Sequence, residues 1–137
     1  MTDPYLSTDY CVERMMREWR KHPRQIVALD YDDVCDDFHK KDGHTHERVL
    51  ALVRRAQAHG FYIVVWTASI PERYDMMREY LAANGIKIDG INANPIPLPF
   101  GNWGKMYYNI LLDDRAGLAQ ACEVLERTLD LIDQQPA

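Results

Sequence analysis

The run Ile26-Val27-Ala28-Leu29 has no polar face and is too short for a helix, so it reads as a strand buried on both sides. A strand of that kind needs a mainly parallel sheet with cover on each face. Similar runs recur at Phe61 to Trp66 and Tyr107 to Leu112, with a weaker one at Ile86 to Ile91. Helical spacing fills the intervals. Val12, Met15, Met16 and Trp19 mark a helix over about 9–21 after the candidate caps Thr8 and Asp9. Val49, Leu52, Val53 and Ala56 mark a second, ended by His59-Gly60. Ser69-Ile70-Pro71-Glu72 opens a third, stopped by Asn84-Gly85, and Leu118, Cys122, Leu125, Leu129 and Ile132 stripe a last one. Strands alternating with helices imply right-handed crossovers and an α/β domain of three layers, helices on both faces. A single domain is expected over residues 1–137, with 1–22 as an N-terminal helical extension.

Composition narrows the function classes. A net charge of −5 argues against affinity for nucleic-acid backbones from bulk charge alone. No run approaches the roughly 20 apolar residues of a membrane span, and Met1 to Tyr5 lacks a secretory pattern, so a cytoplasmic protein with no membrane partner is expected. The three cysteines, Cys11, Cys35 and Cys122, form no Cys-x-x-Cys pair and suit a reduced compartment.

In parallel α/β sheets the functional crevice lies at the carboxyl ends of the strands. Here those ends carry Asp30-Tyr31-Asp32-Asp33, then Thr67-Ala68-Ser69, then Asp113-Asp114, with Lys105 shortly before the last strand. Six Asp and two Lys fall between Asp30 and Asp42. Like charges gathered at a strand end call for a cation, and hard oxygen ligands favour Mg²⁺ over zinc. Taken singly, Asp-x-Asp is an ordinary turn, Lys105 a surface lysine, and Asp113-Asp114 a cap for the last helix. Together and in order at strand ends, they describe a catalytic site.

That order resembles the haloacid dehalogenase superfamily of phosphohydrolases over residues 26–115. Strand then Asp-x-Asp, strand then Thr, a Lys, and strand then Asp-Asp are its four motifs. Asp30 to Val34, with Asp37-Phe38 following, is most similar to the 5′(3′)-deoxyribonucleotidase branch, although Asp33 stands where Gly or Thr is usual. The resemblance implies a Rossmann-like fold with Asp30 as nucleophile forming an aspartyl-phosphate and Asp32 as general acid and base. It further implies Mg²⁺ held by Asp30, the Asp32 carbonyl, Asp113 and Asp114, with Thr67 on a phosphate oxygen and Lys105 neutralising charge. Ala68 and Arg73 are the expected substrate-binding positions. Asp30 to Thr67 spans 37 positions and Thr67 to Lys105 spans 38, too few for a cap domain. An open site suits a nucleotide or a phosphorylated nucleic-acid end, with a loop or a second copy of the chain as cover. Phe100 and Trp103 offer aromatic surface for a base.

Two other classes compete. Cys35, His39, His44 and His46 are zinc-ligand types within 12 residues, consistent with a structural metal module. A phospho-acceptor signalling domain also uses an acidic cluster, Thr and Lys, but with the acceptor Asp on a middle strand and the acidic pair after the first.

Overall fold

The computed structural model describes residues 2–36, 45–98 and 104–136. Strands β1 (Ile26–Leu29), β2 (Tyr62–Val65), β3 (Gly90–Ile91) and β4 (Ile110–Leu112) form one sheet in the order β3-β2-β1-β4. Every pairing is parallel, with Leu29 level with Val65 on one side and Leu112 on the other. Helices α1 (Thr8–Lys21), α2 (Glu47–Ala58), α3 (Tyr74–Ala83) and α4 (Leu118–Asp133) flank it. The fold is therefore Rossmann-like α/β, built on an all-parallel sheet. Among the described residues, no helix is long and apolar enough to cross a membrane.

The β1 side chains are all buried, as their uninterrupted apolar sequence requires. Their alternation divides the core. Val27 and Leu29, with Ile63, Val65, Ile110 and Leu112 of their neighbours, join residues from all four helices in the larger cluster. Ile26, Ala28 and Val64 face the other way into a smaller one, completed by Met106 and Tyr108 of the chain leading to β4. The two faces are thus covered unequally.

Local chemistry corrects several expected boundaries. Ser7, not Thr8 or Asp9, caps α1, its hydroxyl accepting from the Tyr10 N–H at 3.3 Å. Pro71–Arg73 forms a 3₁₀ turn before α3, and no side chain caps it. Strand β4 starts three residues later than expected because the Asn109 side chain takes the Ile26 N–H at 2.7 Å. Strand β3 shortens to two residues: Ile86 is still tied to α3 through its N–H to the Leu81 carbonyl, and pairing begins only at Asp89, whose N–H donates to Ile63. Gly60, at φ 84°, ends α2 in the left-handed conformation expected there.

Helix α1 packs on α4, and Val12, Met15 and Met16 are buried in the larger cluster. Its stripe is part of the domain core. Met15 is fully buried, so Met15→Ala is expected to lower stability by about 2–4 kcal/mol. Urea unfolding measures this, and an unchanged midpoint would contradict the packing.

Candidate active site

The site is assembled by register. The Asp30 N–H donates to the Leu112 carbonyl at 2.9 Å, so the first residue past β1 lies beside the first past β4. On the other flank the Trp66 N–H donates to the Leu29 carbonyl at 2.9 Å, bringing in the end of β2. Beyond the strand the side chains keep alternating: Tyr31 is fully buried in the core, while Asp30 and Asp32 both line an open cleft of about 720 Å³. Asp33, Trp66, Thr67, Ala68, Ser69, Arg73, Asp113, Asp114 and Arg115 complete its walls.

Asp30, Asp113 and Asp114 each offer a carboxylate oxygen, all within 4.8 Å of one another. The convergence is electrostatically costly. Burial, a hydrogen bond shared with Asp114 and the charges of Asp113 and Asp114 push the Asp30 carboxyl up to about 7 from an ordinary 3.8. A donor set of three hard oxygens that repel one another fits a divalent cation such as Mg²⁺. Asp113 Oδ1 accepts from the Arg115 N–H at 2.8 Å, which orients its carboxylate. The acidic pair does not cap the last helix: Gly117 occupies the N-cap of α4.

Asp32 stands apart from this trio. Arg73 forks onto it, Nη2 to Oδ1 at 3.0 Å and Nη1 to Oδ2 at 3.1 Å, and Nη1 also donates to Ser69 Oγ at 2.7 Å. Ser69 therefore steadies Arg73 instead of capping α3. Asp33 sits at φ 62°, a left-handed conformation that Asp tolerates better than most residues, and its N–H donates to the Asp36 carbonyl at 2.8 Å. The loop thus turns at Asp33.

Thr67 lines the cleft with its backbone fully engaged. Its N–H donates to Asn92 Oδ1 and its carbonyl accepts from Asn92 Nδ2, both at 2.8 Å, while its own Oγ1 accepts from the Ser69 N–H at 3.0 Å. Asn92 follows β3 directly and was not among the expected site residues; its signal in the sequence is an Asn, tolerant of left-handed backbone, immediately after a strand.

The structure does not bring Lys105 to the cleft. It is exposed, and the chain after it runs along the second sheet face through Met106 and Tyr108. Among the described residues, the cations in the cleft wall are Arg73 and Arg115. Cys35 is fully buried, its thiol donating to the Asp30 carbonyl at 3.2 Å, and burial pushes that thiol's ionisation well up. His39 and His44, like Asp37, Phe38, Phe100 and Trp103, lie outside the described residues. Among the described residues, the group able to hold a metal is Asp30, Asp113 and Asp114, without Cys35 or His46.

Fold and site together define a Rossmann-like α/β protein with an acidic cleft at the carboxyl ends of parallel strands. A conserved protein coded by a locus of Bacteroides thetaiotaomicron has a similar solved structure, with TM-score 0.59 and 15% identity over 82% of this chain and 93% of that one. At that identity the likeness concerns the fold. No protein-family model matches the chain, and no curated protein matches it.

Proposed function

We propose that this chain is a Mg²⁺-dependent phosphomonoesterase of the haloacid dehalogenase type, acting through an aspartyl-phosphate on a nucleotide or a phosphorylated nucleic-acid end. The observation that carries this reading is the convergence of Asp30, Asp113 and Asp114 at the ends of two adjacent strands, beside Thr67 and an Arg-held Asp32. Asp30, Asp113 and Asp114 would hold the cation, which supplies positive charge between a carboxylate and a phosphate that otherwise repel.

The remaining work falls to the chain itself. An Asp30 oxygen attacks phosphorus, the bond to the leaving oxygen breaks, and Asp32 gives that oxygen its proton. Water then attacks the phosphoryl group, Asp32 takes a proton from it, and the bond to Asp30 breaks to release phosphate. Thr67 and the Thr67–Ser69 turn face the phosphate oxygens. Arg73 contributes positive charge at the wall and sets the plane of the Asp32 carboxyl. The open cleft leaves room for more than a phosphate, and Trp66 offers a ring to a base. A second copy of the chain covering the cleft belongs to the same reading.

A phosphate-release screen over nucleoside monophosphates, 3′- and 5′-phosphorylated oligonucleotides and sugar phosphates tests this, with Mg²⁺ and with chelator. Release from at least one phosphomonoester only with Mg²⁺ is expected; none from any, or release indifferent to chelator, would overturn it. On the same substrate, Arg73→Ala is expected to reduce kcat/KM on the order of 10–100-fold. Arg73→Lys should recover only part, since an ammonium cannot fork onto Asp32. Full recovery in steady-state kinetics would reduce Arg73 to a simple point charge.

A further inference from the structure

We propose that Asn92 is a positioning residue for phosphate binding, an inference that rests on the phosphatase reading and names a residue it does not require. The main chain of β3 leaves the sheet at Ile91, and the Asn92 N–H makes the last rung, donating to the Val65 carbonyl at 2.8 Å. Asn92 then turns at φ 54° into the left-handed region, which sends its side chain back across the extension of β2. There the carboxamide replaces the rungs that the departed backbone no longer provides. Its Oδ1 receives the Thr67 N–H and its Nδ2 donates both to the Thr67 carbonyl and, at 3.1 Å, to the Tyr74 hydroxyl at the start of α3.

One side chain thereby joins three elements at a residue that lines the cleft. With both backbone groups of Thr67 held from the β3 side, its Oγ1 is directed to the Ser69 N–H, and the Thr67–Ser69 turn keeps one geometry before phosphate arrives. Asn92 itself does not line the cleft, so its influence passes through Thr67. The carboxylate trio depends on β1 and β4, at the other flank, and owes nothing to this clamp.

The test uses the full chain with Mg²⁺, p-nitrophenyl phosphate as substrate and inorganic phosphate as competitor. Asn92→Gly keeps the left-handed backbone and deletes the carboxamide. It is expected to raise KM and the phosphate inhibition constant by the same factor, about three- to tenfold, while kcat stays within about twofold. Asn92→Asp, which keeps the acceptor for the Thr67 N–H and loses both donors, should fall between. Thr67→Ala should weaken phosphate binding similarly, and adding Asn92→Gly to it should have little further effect, because both act on one contact. Additive losses in the double variant, or a lowered melting temperature with unchanged KM, would overturn the proposal. Hydrogen exchange at the Thr67 amide reads the clamp without turnover: protection should be lost in Asn92→Gly, and retained protection would also overturn it. A parent chain that releases no phosphate, yet loses Thr67 protection in Asn92→Gly, refutes the phosphatase reading and the binding role while leaving the clamp's geometry in place.

Discussion

Asp30→Asn is expected to lose on the order of 10⁴-fold or more in turnover and at the same time to melt at a higher temperature than the parent in chelator near pH 8. Both effects have one origin. An amide cannot form the phosphoryl intermediate, so hydrolysis loses its first step. The same substitution removes a carboxylate that burial, Asp113 and Asp114 press against, a repulsion that lifts its pKa to about 7. A carboxyl that binds its proton more tightly when folded weakens the folded state progressively as the pH rises from about 4 to about 7, and no further above that. The stabilisation of Asp30→Asn should therefore be absent near pH 4 and complete by pH 8. Activity close to that of the parent would contradict the mechanism, and a pH-independent difference in melting temperature would contradict the electrostatic account of the trio.

Mg²⁺ is expected to reverse the parent's behaviour. In chelator the trio's contribution falls as the pH rises from about 4 to about 7, whereas in saturating Mg²⁺ the ionised carboxylates become ligands and the melting temperature rises by several degrees. The rise should shrink below about pH 6, where protons compete with the cation for Asp30. Asp114→Asn should relieve Asp30 of its shared hydrogen bond and nearby charge, stabilise the chelated protein, and weaken Mg²⁺ binding about tenfold or more. Thermal shift with and without Mg²⁺ across pH checks all three. An unchanged melting temperature in Mg²⁺ at pH 8 would mean that these oxygens hold no such cation.

The four strands, and the polar residues that follow β1, β2 and β4, were legible because each signal is local: an apolar run followed by carboxylates after β1 and β4 and by Thr67 after β2. Parallel register then does the rest, since Leu29 level with Leu112 places Asp30 beside Asp113. The fork of Arg73 on Asp32 and the clamp of Asn92 on Thr67 were not legible, because they join residues 41 and 25 positions apart through side chains that no periodicity marks. Asn109 hid the start of β4 in the same way, its side chain standing in for a strand partner at Ile26. Lys105 shows the converse: its place in the motif order follows from sequence, but its position in space depends on the path of the chain into β4.

The most direct test of the phosphatase account is to mix the parent chain with Mg²⁺ and a phosphomonoester that it hydrolyses, quench in acid within a turnover, and map phosphorylated peptides by mass spectrometry. One phosphoryl group on the peptide carrying Asp30, absent from Asp30→Asn and lost at the rate of phosphate release, is the expected result. Phosphate release with no phosphorylated Asp30, or a phosphoryl group on Asp30 that persists without release, would contradict it.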